Sequence, residues 1–458
     1  VKLRSYQLDG LRRLSAEYQA GKRSVCFVLP TGGGKTACFS YVHAAHLRSN
    51  PEAHVLVTAH RQELVDQAAS EMERFGLQCR KFARGRLTGP QDARVTVAMI
   101  QSLMSADTFP CRPTHVTWDE GHHAPADSYQ FVKSRVPDGC RHLFVTATPE
   151  RLDGKPMGDC CDAMVVGCQA SDLIAYNEQH PGQGLLDCVV DAPASRKKAG
   201  VQAEFASDAI LRLAQSEKTV IFAPTKDYSL AEVQKLRDAG IKAAHIDGNT
   251  PSQERVILLD RLKIGELQVI SSINLLTEGW NLPALECAVI ARACESTGMY
   301  LQICGRVMRP YGSKRWGHII DLTGTYHLHG LPSEDREYAL DGTAIRRATQ
   351  DDQLPPAYRC RECLKIFPRK GVDACPFCGS GMVFERTKLE IDGEKVERIT
   401  AMQAANRQKG DEWAKTKMVQ FLREAEAKKY KPGWAIHRMR LIGIDPSRSL
   451  YAEAMREL

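Results

Sequence analysis

Nowhere in this 458-residue chain do about 18 consecutive apolar residues occur, so no membrane-spanning helix is expected. The N-terminus opens on charged residues in place of the apolar core of a secretion signal, which sets the expectation of a cytoplasmic protein. Internal repeats and low-complexity tracts are also missing, which argues against solenoids and long disordered linkers. The net charge is only +7, too small for a field acting over the whole chain, so where the charge sits matters more than its sum. What remains is ordinary globular composition, 43% hydrophobic and 26% charged, at a length that accommodates two or three domains.

Sixteen cysteines are many, but twelve follow no spacing pattern and read as small, reduced core residues. The other four form two knuckles, Cys360-Arg361-Glu362-Cys363 and Cys375-Pro376-Phe377-Cys378, separated by eleven residues. Redox chemistry needs a single pair, whereas four thiolates at this spacing suit one structural Zn²⁺ held by Cys360, Cys363, Cys375 and Cys378. Nucleic-acid contact, docking of a protein partner and plain stability are three open roles for such a module. Positive charge concentrates after it: between Met402 and Arg440 ten Lys or Arg face four Asp or Glu. That excess suits contact with a phosphate backbone, or else a solvated helix face. Within it Lys428-Lys429-Tyr430-Lys431-Pro432-Gly433-Trp434 mixes bases with aromatics, so Trp434 either stacks on a single-strand base or anchors the tail.

Short, partly β-branched runs alternate with amphipathic helical stretches through the first 325 residues. Strands are predicted at residues 24–29, 55–58, 95–98, 115–119 and 143–146. The rhythm restarts at 219–223, 243–246, 269–272, 288–291 and 318–322, after an irregular stretch over residues 149–207. This is the α/β pattern of two parallel sheets, each covered on both faces. The alternation ends near Leu331, and Asp351-Asp352-Gln353-Leu354-Pro355-Pro356 reads as a linker. The expected division is a first lobe over residues 1–165, a second over 166–335, a cysteine module over 355–385 and a basic helical tail over 386–458.

Pro30-Thr31-Gly32-Gly33-Gly34-Lys35-Thr36 follows the first predicted strand and opens a helix. Glycines there let backbone N–H groups converge on phosphate oxygens at a helix N-terminus. Lys35 supplies a point charge for the outer phosphates, and Thr36 a hydroxyl for Mg²⁺. Trp118-Asp119-Glu120-Gly121-His122-His123 ends another strand, and adjacent carboxylates at such a place call for a cation. Asp119 is assigned to Mg²⁺ and Glu120 to the attacking water. The two histidines are read as a link between cleft and groove rather than as metal ligands. Upstream, Arg4, Tyr6 and Gln7 form a short motif in which the Gln7 amide can pair with an adenine edge; Tyr6 packs in the core or stacks on the base.

These motifs together resemble those of superfamily 2 helicases, with Thr146-Ala147-Thr148-Pro149 as the third and Gln302-Ile303-Cys304-Gly305-Arg306-Val307-Met308-Arg309 as the sixth. The resemblance implies two tandem RecA-like lobes that couple ATP hydrolysis to work on a nucleic acid. It makes Arg309 the finger that stabilises the transferring phosphate and Arg306 a second contact to it; their spacing of three predicts one helix face. It gives His122, Thr146, Thr148 and Gln302 to coupling, and Gly279 and Asn281 to the ribose, Asn281 standing where relatives carry Asp. Relatives also place Ala or Cys where this chain has Gly121. Thr58, His60, Arg61, Gln101, Asp247, Gly248 and Thr277 are assigned to the nucleic-acid track, gripping a backbone without reading sequence.

The order of motor, zinc ribbon and Lys-Pro-Gly-Trp tail is similar to that of bacterial RadD-type DNA-repair helicases. That likeness implies a monomer using ATP, Mg²⁺ and structural Zn²⁺ on single-stranded or junction DNA, with RNA the other candidate track. A duplex translocase like a restriction motor and a platform timed by ATP are the alternatives. No nuclease motif accompanies the motor.

Overall fold

The computed structural model describes residues 2–124, 126–149, 156–197, 200–273, 275–276, 282–294 and 296–341 as near-continuous structure. Beyond these it describes residues 357–359, 366–368, 390–391, 393–399, 414–423, 425–426, 435–436, 439, 450–451 and 454–455. Cys360, Cys363, Cys375, Cys378, Trp434, Thr277, Gly279 and Asn281 lie outside the described residues.

The first lobe runs α1 (Ser5–Gln19), β1 (Ser24–Val28), α2 (Lys35–Ser49), β2 (Val55–Ala59), α3 (Gln62–Arg74), β3 (Cys79–Ala83) and β4 (Arg86–Thr88). It continues β5 (Val95–Met99), α4 (Ile100–Ser105), β6 (His115–Asp119), α5 (Asp127–Ser134), β7 (Arg141–Thr146), β8 (Ala163–Val166) and α6 (Ala170–Gln179). Its sheet has the order β4-β3-β5-β2-β6-β7-β1-β8, parallel except for the β3–β4 hairpin. β1, β2 and β6 are buried along their whole length, which is why they read as unbroken runs in place of an alternating pattern.

The second lobe runs β9 (Cys188–Ala192), β10 (Val201–Gln202), α7 (Ala206–Leu213), β11 (Thr219–Phe222), α8 (Lys226–Asp238), β12 (Ala243–Ile246) and α9 (Ser252–Ile264). Then come β13 (Val269–Ser272), β14 (Cys287–Ile290), α10 (Thr297–Val307), β15 (Gly317–Asp321) and α11 (Tyr326–His329). Four short strands follow: β16 (Ala357–Arg359), β17 (Ile366–Pro368), β18 (Glu390–Ile391) and β19 (Glu397–Arg398). The second sheet has the order β12-β13-β11-β14-β15-β9-β19, antiparallel only at β19–β9. Two parallel sheets with helical crossovers are the two lobes expected.

Three features differ from the expectation. Much of the described part of residues 149–207 is structured: β8 closes the first sheet, and Cys168, Leu173 and Leu185 pack into the first lobe's core, which therefore extends beyond residue 165. Its strands are short and its apolar residues scattered, so the period of two never develops. Second, the segment after the cysteine knuckles is not helical from its start. β19 is hydrogen-bonded to β9 as an edge strand, Val396 is 1% exposed within the second core, and its N–H donates to Glu204. Third, α10 ends at Val307, so Arg309 lies in the turn beyond it and its position is not set by helical spacing.

β16 and β17 pair as a hairpin whose connection contains the first cysteine knuckle. Further on, residues 414–423 are helical, and Met418, Val419, Phe421 and Leu422 share a small core with Ala435, Met439 and Ala454.

On the side of the first lobe opposite the loops described below lie buried His43 of α2, buried His115 at the start of β6 and half-buried His142 near the start of β7. Burial pushes His43 down to about 3, His115 to about 2 and His142 to about 4, with neighbouring cations and histidines adding to the effect. In the unfolded chain the same rings take up protons near pH 6.5. Their contribution to stability is therefore complete above about pH 6.5 and is lost progressively as the pH falls toward the folded values. The thermal unfolding midpoint is expected to drop between pH 7 and pH 5, and to drop less in a His115→Gln variant that still folds; a flat profile contradicts the assignment.

Candidate active site

In a parallel sheet the loops after the strands all open at one end, and ligands bind there. The glycine loop follows β1, the carboxylate pair ends β6, and Thr146 ends β7, so three distant motifs share one edge. α10 and the turn after it supply the opposing wall. Between them lies a solvent-open cleft of ≈ 1240 Å³ lined by Lys35, Thr36, Asp119, Glu120, Arg306 and Arg309, among others.

The glycine loop is shaped for close approach. Gly32 and Gly34 have φ of +93° and +82°, the left-handed region that glycine enters without cost. A Cβ on Gly34 would stand 2.4 Å from Gln7 Nε2. Gln7 itself bridges two elements: its Oε1 accepts from the Arg4 N–H (2.9 Å) and its Nε2 donates to the Gly33 carbonyl (3.0 Å). Tyr6 donates to the same carbonyl (3.2 Å), is buried, and packs edge-on against Tyr176, which makes it a core residue. Gln7 thus ties α1 to the phosphate loop here, and pairing with an adenine edge requires exchange of one of these bonds.

Asp119 is buried at the end of β6, and Glu120 adopts φ +48°, one of two described non-glycine residues in the left-handed region. That conformation costs roughly 1 kcal/mol or more for a residue with a Cβ. It is held because Gly121 lies flat against the neighbouring strand: a Cβ there would be 2.9 Å from Phe144 Cβ and 3.1 Å from the Val145 nitrogen. The glycine that departs from the family pattern is therefore demanded by Phe144, a constraint no local spacing could reveal.

Polar contacts lead out of Glu120 in both directions. His122 Nδ1 meets Thr146 Oγ1 at 3.0 Å and lies 3.5 Å from Glu120 Oε2. The Thr146 hydroxyl donates to the Thr148 carbonyl (2.7 Å) and accepts from the Thr148 N–H (3.1 Å). From the other lobe, Gln302 Nε2 donates to Glu120 Oε2 at 3.4 Å. The four residues expected to couple the motifs thus form one chain around Glu120, and His122 belongs to it rather than to a metal site.

The lobes come into close contact at two points of α10. A Cβ on Gly305 would lie 2.6 Å from Thr31 Cβ, one on Gly298 would lie 2.7 Å from Thr148 Oγ1, and Met308 is buried in the first lobe's core. Arg306 is buried, and burial lowers the Arg309 guanidinium from its ordinary value, so both arginines are largely withdrawn from water in the wall of the cleft. Two guanidinium groups from one lobe opposite a glycine loop, a lysine and two carboxylates of the other are the parts that phosphoryl transfer needs. Thr36 and Asp119 line the same cleft and would be the ligands of a Mg²⁺ ion, which when bound would neutralise phosphate charge.

The residues assigned to the nucleic-acid track divide. Gln101 and Gly248 are exposed at the carboxyl ends of β5 and β12, and His60 is half-buried against His123. Arg61 reaches across the lobes toward the Leu275 carbonyl at 3.4 Å. Thr58 is corrected: it is fully buried, and its hydroxyl donates to the Thr117 carbonyl inside the sheet. Asp247 is corrected too. Lys226 at 2.9 Å, then His245 and the Asn249 N–H, hold its carboxyl below the usual range, so it shapes the loop and presents no group to a phosphate.

Among the described residues one further cluster brings potential metal ligands together: Glu217, Cys287 and His318, with ligand atoms within 4.8 Å. Both His318 nitrogens are already engaged by carboxylates, Glu217 at 2.6 Å and Asp191 at 2.7 Å. The cluster pins β9 and β15 to the turn before β11.

Comparison with known proteins agrees with this geometry. Residues 1–151 match the family of type III restriction enzyme res subunits, and residues 202–311 match the helicase conserved C-terminal domain. A 51.5 kDa protein of a Lactococcus phage is 26% identical over 388 residues, 81% of either chain. The putative mitochondrial ATP-dependent helicase irc3 of Schizosaccharomyces pombe is 28% identical over 348 residues, which are 70% of this chain and 57% of that helicase. The chain thus spans less than two thirds of the yeast protein. In fold, a fragment of a putative HsdR subunit of a type I restriction enzyme from Vibrio vulnificus superposes with a TM-score of 0.55 at 19% identity, covering 74% of this chain and 66% of the fragment.

Two outcomes follow from the site. Arg306→Ala and Arg309→Ala are each expected to lower ATP turnover by about 10³ with the fold intact, as measured by steady-state phosphate release; near-normal turnover would remove them from the chemistry. Gly121→Ala should destabilise the first lobe by about 1–3 kcal/mol in chemical unfolding, because its Cβ has no room beside Phe144. The motifs, the cleft they build and both matches lead to one conclusion: the chain is an enzyme of the helicase-like ATPase kind, its first lobe similar to type III restriction enzyme res subunits and its second to the helicase conserved C-terminal domain.

Proposed function

We propose that the chain is a DNA-directed motor that uses ATP to move along or remodel DNA without regard to base sequence, acting as a monomer in DNA repair, recombination or replication. The observation that carries this reading is the chain of polar contacts from Gln302 through Glu120 and His122 to Thr146 and Thr148. It ties the water-positioning carboxylate to the loops at the carboxyl ends of the first sheet, so a change at the phosphates moves the edge where Gln101 and His60 lie. Such loops offer backbone N–H groups and short side chains to a sugar-phosphate backbone, a grip that is sequence-independent and salt-sensitive.

DNA is preferred over RNA because the order of motor, cysteine knuckles and basic tail resembles RadD-type helicases. The four cysteines are proposed to hold one structural Zn²⁺, and the module to contact DNA or a protein partner. A second reading, movement along duplex DNA without strand separation, is favoured by the first lobe's match to restriction-enzyme res subunits.

ATP turnover measured with single-stranded, duplex and forked DNA and with RNA, beside a Glu120→Gln control, tests the proposal. Selective stimulation by single-stranded or forked DNA is expected; stimulation by duplex alone favours the second reading, and turnover indifferent to all four rejects both. Metal analysis should return about one zinc per chain. A value near zero would overturn the ribbon.

A further inference from the structure

A two-lobed motor joined by one linker leaves its far lobe free to swing, and arginines donated across the cleft are then only as well placed as the hinge allows. Here the chain crosses between the lobes a second time. After α11 it leaves the second lobe, where the Arg336 guanidinium donates to the His329 (2.9 Å) and Leu331 (3.2 Å) carbonyls. It then docks on the first lobe. Gln169, at the start of α6, grips the Arg336 backbone at both polar groups, donating to its carbonyl (2.8 Å) and accepting from its N–H (3.2 Å). The Asp335 carboxylate accepts from the Ser171 N–H (3.1 Å) and hydroxyl (2.7 Å) at the N-terminus of the ten-residue α6, where a negative charge is favoured. Further along, Leu340 accepts from the Gly158 N–H (2.7 Å) and packs with Tyr338 on the first core.

The crossing lies behind the catalytic junction. A small cavity is lined by Pro332, Arg336 and Tyr338 together with Thr31, Gly305 and Met308. The segment therefore backs the contact where the phosphate loop meets the helix that leads to the arginines.

We propose that residues 332–340 are a positioning element for ATP hydrolysis: through Asp335 and Arg336 they lock the second lobe to Gln169 and Ser171, and so hold Arg306 and Arg309 at the phosphate loop. Asp335 and Arg336 are positioning residues, with no contact to the reacting atoms. The inference rests on the ATPase reading and adds an element to it. Loss of the lock leaves nucleotide binding by the first lobe intact and misplaces the arginines, so it lowers kcat and spares affinity.

The test uses the full chain with Asp335→Ala, Gln169→Ala and the double variant, all at exposed or half-buried side chains whose replacement leaves both cores untouched. The double variant is expected to lose at least about fivefold in kcat, while the affinity for a fluorescent ADP analogue stays within about twofold. Asp335→Glu, which keeps the charge at the helix end, should recover most of the rate. Wild-type kcat in the double variant overturns the proposal. So does a parallel loss of ADP affinity, which marks the segment as merely structural. Absence of turnover in the wild-type chain would instead reject the underlying ATPase reading.

Discussion

Everything that this chain does as an ATPase depends on how closely one lobe's backbone approaches a side chain of the other: Gly305 of the second lobe lies against the Thr31 side chain of the first, with no room for even one methyl group between them. That contact carries Gln302 within reach of Glu120 and seats Met308 in the opposite core. It also sets the buried Arg306 and the Arg309 turn at the edge of the phosphate loop. Charge stabilisation of this kind depends steeply on distance and on the exclusion of water, so a junction looser by a side chain's width leaves a nucleotide-binding lobe without its catalyst.

Local strain at the site has a local cause. Glu120 is held in the left-handed region, and what over-determines it is Gly121 lying against Phe144 on β7. The same strand ends in Thr146, which meets His122, so one strand both fixes the carboxylate's backbone and receives its hydrogen-bonded neighbour. Coupling between the phosphate site and the loops beyond Thr148 then needs no long pathway, because the elements concerned are adjacent strands of a rigid sheet.

Much of this was legible in the sequence because its signals are local. The buried strands β1, β6, β12 and β13 appear as short apolar runs bounded by turns, and the glycine loop and carboxylate pair each sit at a strand's end. The features that escaped are set by partners far along the chain. The demand for Gly121 comes from Phe144, whereas the helix stop before Arg309 has a local mark in Pro310, which keeps the residue before it out of helical geometry. Thr58 has a hydroxyl suited to a phosphate track and Asp247 opens a small-residue loop, but the sheet buries one and Lys226 holds the other. β8 and β19 are edge strands too short for a period of two to emerge, and β19 is ordered by its pairing with β9. Gln169, Ser171 and Asp335 look like ordinary surface polar residues until the fold brings them together.

The central claim is that closure of the lobes assembles one catalytic centre from both. A crystal structure of the full chain with Mg²⁺ and an ADP–aluminium fluoride mimic of the transferring phosphate tests it most directly. Guanidinium groups of Arg306 and Arg309 should reach the fluoride, with Glu120 bound to Gln302 and facing the attacking position, and Gly305 still seated on Thr31. Arginines turned away from the mimic in an otherwise closed molecule would contradict the account.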